Sequence, residues 1–216
     1  MYTSGFEGSF EGWATPTIHG DLAFTLHTGS TPSYGTGPTN AAAGTGYVHA
    51  ETSGDNSNKI FDLEKSFPVG SELYGVAFQY HMYGGTVGSA VLESSADGTT
   101  WGSLWSKSGN QGDQWLQATV YARTGQTILR YTYTSGSSST SNFALDDIQI
   151  GDCLTVGCSS TTPNEPCMVP SGTCDTATGR CSVYADGTPC DDNDPGTINE
   201  MCSNGYCTGA AQKSFQ

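Results

Sequence analysis

The sequence predicts an all-β protein: a jelly-roll β-sandwich followed by a small disulfide-rich, loop-dominated module. Short runs of alternating apolar and polar residues recur between turn signals, and helical periodicity is nearly absent. Glycine is abundant, with 29 in 216 residues, and all eight cysteines lie at or after Cys153. Many short strands joined by regular turns fit a sandwich. The lopsided cysteines divide the chain into residues 1–153 and 154–216. The first part must cohere by burial, and a segment of that size removes roughly 70% of its unfolded surface from water. The second is poor in large aliphatic side chains and needs cross-links. "SSTTPNEP", 159–166, is the candidate boundary.

Six runs read as strands: 46–51 (GYVHAE), 73–82 (LYGVAFQYHM), 88–94 (GSAVLES), 115–122 (WLQATVYA), 127–134 (TILRYTYT) and 143–150 (FALDDIQI). Side chains alternate along a strand. Phe78, Tyr80 and Met82 therefore point to the core, while Gln79, His81 and Tyr83 point the other way, which puts His81 on the sheet's outer face. "SADGTTW", 95–101, is a hairpin turn of the Asp-Gly kind. "TSGSSSTSN", 134–142, is an exposed loop. In "ALDDIQI" the same alternation turns Ala144, Ile148 and Ile150 to the core and carries Asp146 inward with them. A buried carboxylate is costly unless paired or bound to a cation.

The eight cysteines, Cys153, Cys158, Cys167, Cys174, Cys181, Cys190, Cys202 and Cys207, read as a disulfide framework made in an oxidising compartment. The expected location is secreted or cell surface. Met1 is followed at once by foldable sequence rather than a signal peptide, so either a signal has been removed or the chain is an excerpt. No apolar run approaches the roughly 18 to 20 residues of a membrane span. Seven Lys plus Arg against 21 Asp plus Glu, a net charge of −14, argue against nucleic acid and anionic lipid as partners.

Catalysis finds little support. HExxH, G-x-S-x-G and a phosphate loop are all missing, and His19, His27, His49 and His81 are scattered. The expectation is no enzyme. No N-x-Ser/Thr acceptor occurs, while "SGSSSTS" and "SSTTP" are compositionally open to O-linked sugars. If "WGSLW" is a strand, Trp101, Ser103 and Trp105 share a face. The competing reading for these tryptophans and for Trp115 is core packing, since aromatic side chains bury large areas and dominate such cores. Trp101, next to a turn, is the candidate glycan-stacking residue.

In order, "GFEGSFEGW", "TGP", "GTGYVHAETS", "FQYHMYGGTVGSAVLESS", "LWSKSGNQGDQWLQATV" and "FALDDIQIGDC" resemble the MAM domain of meprins, neuropilins and receptor tyrosine phosphatases across residues 5–153. The resemblance implies an extracellular jelly roll acting in adhesion, assembly or recognition, without catalytic activity. The family's paired cysteines near the start are replaced here by residues such as Gly5 and Glu11, and the one preceding "FQYHMYG" by Gly75. Cys153 is then expected to pair within the tail, locking the two parts together. Jelly rolls of this type often hold a cation between first and last strands, which pairs Asp146 with Glu7 as ligands for structural calcium. Asp21 or Glu51 could complete the set. The alternative is that these acids are only hydrogen-bonded to backbone amides or solvated.

"DGTPCDDNDPGTINEMCSNGYCTG", 186–209, resembles an element in cysteine-rich regions of ADAM-like proteases and microbial surface proteins. Its acidic run fails the EF-hand spacing, because position twelve falls on Cys202. Two functions follow. The first is a non-catalytic adhesion or assembly module making protein contacts, including self-association. The alternative is a carbohydrate-binding module of a larger secreted enzyme.

Overall fold

The computed structural model describes residues 2–16, 22–54, 56–68, 75–121, 126–151, 167, 174–175, 180–181, 183–191, 197–203 and 206–211. The described residues hold no helix. The chain divides into two compact units, Tyr2–Ile150 and Gly151–Gln216.

The first unit is a jelly-roll sandwich of eleven strands: β1 (Tyr2–Ser4), β2 (Leu22–Ala23), β3 (Thr25–Thr28), β4 (Gly46–Ala50), β5 (Ile60–Ser66), β6 (Gly75–Met82), β7 (Ser89–Ser95), β8 (Trp101–Ser108), β9 (Leu116–Tyr121), β10 (Ile128–Thr134) and β11 (Phe143–Ile150). One sheet runs β3-β4-β11-β6-β9, with β1 also paired to β11, and the other runs β2-β5-β10-β7-β8. All six runs expected from alternation are strands. Between the sheets lie Phe61, Leu63, Phe78, Leu92, Tyr131, Tyr133, Phe143 and Leu145, all fully buried. As expected, Phe78, Tyr80 and Met82 point into this core.

β11 departs from the expected phase. Phe143 and Leu145 face the core, so Ala144 and Asp146 face away from it. The pairing of β11 with β6 then shifts between Asp146 and Gln149, and Asp147 adopts a φ of 45°. This bulge inserts one residue into the alternation. Ile148 and Ile150 thereby return to the core, and Asp146 is buried on the opposite side of the sheet from the one expected.

Two connections cross closely at one end of the sandwich. Ala at Gly88 would drive its Cβ onto the carbonyl oxygen of Thr134, with Gly136 N only 2.9 Å off, and Ala at Gly136 would meet the carbonyl of Thr86. The Tyr133 hydroxyl fastens this crossing by accepting the Gly88 N–H at 3.1 Å and donating to the Ser141 carbonyl.

In the second unit β12 (Cys174–Asp175) pairs with β13 (Arg180–Cys181), and β14 (Thr197–Ser203) with β15 (Tyr206–Ala211). Disulfides join Cys167 to Cys202 and Cys190 to Cys207, across 35 and 17 residues of chain. Loops of that size lose enough denatured-state entropy on cross-linking to contribute roughly 3 to 4 kcal/mol each. Cys153, Cys158 and the stretch 159–166 lie outside the described residues, as do the side chains of Cys174 and Cys181.

Candidate functional site: the outer face of the six-stranded sheet

The face of the six-stranded sheet turned away from the core carries a band of rings. The register aligns Thr25 with His49, His49 with Ala144, and Ala144 with His81, so one row crosses β3, β4, β11 and β6. Ala144 leaves a low step between the two histidines. His27 and Tyr47 flank His49, with ring centroids 4.8 and 5.9 Å away. Trp115 lies against Tyr47 at 5.9 Å and His81 at 5.4 Å. Trp115 therefore belongs to this outer band and not to the core, whereas Trp105 packs on Phe78 and Tyr80 as expected.

His81 does face away from the core, but it is only 2% exposed. Trp115, Tyr83 and the chain around Asp113 roof it. Burial lowers its pKa, against the opposing pull of Asp113, whose Oδ1 lies 3.3 Å from Nε2. His49 is as deeply covered, and burial pushes it down to about 4 despite the Glu51 carboxylate 4.0 Å away. Both histidines keep a buried Nδ1 without a hydrogen-bond partner. Neutral imidazoles fit that environment; imidazoliums do not.

Residues 29–40 edge this face, connecting β3 to β4. Tyr47 donates its hydroxyl to Gly29 O at 2.8 Å, and the Trp115 indole N–H reaches Asn40 O at 2.9 Å. Within the loop, the Thr31 hydroxyl donates to Thr36 O, and the Thr36 hydroxyl to Tyr83 O, both at 2.7 Å. Gly35 and Gly37 hold left-handed φ values of 74° and 68° that favour glycine. At the tip Tyr34 is fully exposed. Sequence reasoning missed Tyr34. The available signal was a large aromatic inside "PSYGTGP", a run of turn formers where no strand can bury it.

The carboxylates expected to bind calcium are spread out. Glu7 accepts Thr45 N–H at 2.8 Å, the Thr45 hydroxyl at 2.6 Å and Gly46 N–H at 3.2 Å, and these bonds lower its pKa. Asp146 accepts the N–H groups of Ala42, Ala43 and Asp147 at 2.9, 3.0 and 2.7 Å, yet burial still raises it to about 6. Both acids thus converge on loop 42–46. Glu51 does not join them: it follows the far end of β4, five residues from Gly46, roughly 16 Å along a strand. There it takes the Ser53 N–H at 2.9 Å and the Ser33 hydroxyl at 3.4 Å. Asp21, like Asp192, Asn193 and Asp194 of the acidic run, lies outside the described residues.

Trp101 occupies the other sheet. Arg130, 4% exposed, stands between Glu64 and Glu93 at 3.9 and 3.3 Å, and its guanidinium carbon lies 3.5 Å from the centroid of the Trp101 ring. The indole N–H is donated to Gly98 O at 3.2 Å. One ring face is therefore taken by arginine, and Trp101 serves a charge ladder. Trp101→Ala is expected to cost about 1 kcal/mol of stability through the lost cation–π contact. Urea unfolding of parent and variant measures it, and equal midpoints would show the stack contributes nothing.

The family model of the MAM domain, meprin/A5/mu, matches residues 5–154. MAM domain-containing glycosylphosphatidylinositol anchor protein 1 of Rattus norvegicus is 33% identical over 131 residues, 55% of this chain but 13% of the relative. The Homo sapiens protein of that name is 30% identical over 148 residues, 62% of this chain and 15% of the relative. The chain thus spans only a small part of these relatives. Among solved structures, a cleaved adhesin domain of Lys-gingipain matches with a TM-score of 0.55 at 18% identity, covering 69% of this chain and 96% of that one. A second, from Porphyromonas gingivalis, matches at 0.52 and 16% over the same shares.

Proposed function

The chain belongs to the MAM domain family over residues 5–154, and from that membership we propose that it is a non-catalytic adhesion and assembly module. It is extracellular: its disulfides fit an oxidising compartment, and no helix of the described residues is long and apolar enough to cross a membrane. The observation that carries the proposal is β8, eight residues long, with one edge unpaired among the described residues and a single charged side chain, Lys107. Such an edge offers a row of backbone donors and acceptors to a second strand. The partner is another protein edge, and a second copy of this chain satisfies it. The tail, by its resemblance to elements that accompany surface proteins, extends the module without adding chemistry.

Sedimentation velocity in calcium-containing buffer tests this. Species larger than the monomer are expected, and Ser103→Lys with Ser106→Lys on β8 should dissolve them. A monomer at all concentrations removes the self-association reading. Carbohydrate binding is the second reading, favoured by one feature, the fully exposed Tyr34 on the loop between β3 and β4.

We propose further that loop 42–46 is a calcium cradle. Two carboxylates approach one short loop, where they accept the N–H groups of Ala42, Ala43, Thr45 and Gly46, and no cationic side chain pairs with Asp146 among the described residues. Calcium takes about 6 to 8 oxygen ligands, some from backbone carbonyls, and would neutralise the desolvated Asp146. A chelator is expected to lower Tm by several degrees in the parent and by nothing in Asp146→Asn. An unchanged parent Tm, with no metal by elemental analysis, would leave the amide bonds as sole support of the loop.

A further inference from the structure

The loop between β3 and β4 holds an aromatic ring fully in water on a backbone fixed from several sides. Beyond the Thr31 and Thr36 hydroxyl bonds, Thr31 N–H donates to Pro38 O at 3.1 Å and Gly37 N–H to Tyr83 O at 3.1 Å. Asn142 N–H donates to the Thr36 hydroxyl at 2.9 Å, and the His27 imidazole meets Ser30 O at 2.8 Å. Thr31, Thr36, Gly37 and Pro38 are buried. The base of the loop is therefore part of the fold, and only its tip is free. Exposing a whole tyrosine ring has no folding benefit, and the hydrogen-bonded base of the loop means little backbone order remains to be lost when something covers the ring.

Beside the ring lies a cleft of about 410 Å³, lined among others by Ser33, Tyr34, Thr39, Tyr83 and Asp113. That is toward the small end of the ~300–1,000 Å³ of ligand pockets. Its lining supplies two tyrosine rings, several hydroxyls and one carboxylate. Asp113 is 55% exposed, and its Oδ1 is positioned by His81 at 3.3 Å. No lysine or arginine lines the cleft, which leaves phosphate, sulfate and carboxylate ligands without a counter-charge.

We propose that this cleft is a binding site for a neutral saccharide, a mono- or disaccharide unit at the end or along the edge of a glycan. Flat rings match the C–H faces of a pyranose, which are apolar and stack on aromatic side chains. Carboxylate oxygens accept hydrogen bonds from paired hydroxyls, and serine and threonine hydroxyls both give and take them. Acidic sugars are excluded by Asp113, by Glu51 bonded to Ser33, and by the net charge of −14. The site rests on the second reading of function and stands apart from β8, so each can fail alone. A shallow open cleft predicts weak binding, with Kd on the order of millimolar.

The test is a titration of the full chain with cellobiose, lactose, mannobiose and chitobiose, read by ring-proton NMR and by a neutral-glycan array. At least one sugar should perturb the Tyr34 and Tyr83 ring signals, and Tyr34→Ala should weaken that binding by about tenfold or more. Tyr34 makes no structural contact, so the variant should keep the parental Tm. Asp113→Asn should weaken binding several-fold while the ring signals remain responsive. Absence of any response, or a response that survives in Tyr34→Ala, overturns the site. If Tyr34→Ala instead abolishes self-association measured by sedimentation and no sugar binds, the loop is a protein contact and the proposal fails.

Discussion

Gly88→Ala is expected to lower Tm by roughly 6 to 12 °C. A methyl group at residue 88 has nowhere to go, since the groups it would strike are the Thr134 carbonyl and the backbone of Ser135 and Gly136 rather than the ends of pliable side chains. Relief requires moving one main chain away from another. The crossing connections are held by Thr86 N–H on Thr140 O at 3.2 Å and by the Tyr133 hydroxyl. Overpacking a tight site costs about 1 to 3 kcal/mol and occasionally more, and backbone against backbone belongs at the upper end. Each kcal/mol shifts Tm by about 2 to 4 °C in a chain of this size. Gly85→Ala is the control, because its Cβ would meet only the Thr140 hydroxyl at an ordinary 3.5 Å. Equal melting of the two variants would show that the connections do not cross this closely.

Acid is expected to weaken the sandwich through its covered histidines well before the ordinary carboxylates titrate. His49 titrates near 4 when folded and near 6.5 when unfolded. A histidine lowered by folding stabilises the folded state fully above 6.5, and that contribution is lost as pH falls from 6.5 toward 4. Between pH 7 and 4.5 the loss is about 2 to 3 kcal/mol. The groups facing His49 are His27, Tyr47 and Glu51, and only Glu51 pulls its pKa upward. His81, also lowered, adds in the same direction. Asp146, raised to about 6, works the other way, because its protonation below 6 relieves a buried charge. The informative quantity is therefore the difference between parent and His49→Gln. Urea unfolding with chelator present should show a steeper loss between pH 7 and 4.5 in the parent. Identical slopes would mean His49 is protonated as easily folded as unfolded.

Strands were legible where alternation was long and clean, as in β6 and β10, because period two is what a sheet with one covered face demands. β1, β2 and β3 are two to four residues long and exist only because partners far along the chain pair with them. No local pattern announces such strands. In β11 the alternation was legible but its phase was not, since a bulge at Asp147 costs no unusual residue and shifts everything after it. The covering of His81 was illegible for a different reason. Its roof comes from residues near 113–115, more than thirty positions away, and period two tells which face a side chain takes, not what lies over that face. Tyr34 shows the converse: its setting among turn formers already implied exposure, and the fold added that the backbone beneath the exposed ring is fixed by hydrogen bonds.

The first and last strands of the sandwich are register partners, with Tyr2 opposite Ile150, Thr3 opposite Gln149 and Ser4 opposite Ile148. They run antiparallel, so both ends of this unit lie at the same end of that short ladder. Tension applied through Tyr2 and Ile150 pulls across the strands and opens the pairs one after another, like a zipper from its open end. A shear geometry would load all the bonds at once. A module so built yields first by peeling β1 from β11, while the strands other than these two, and the loops joining them, stay off the line of pull.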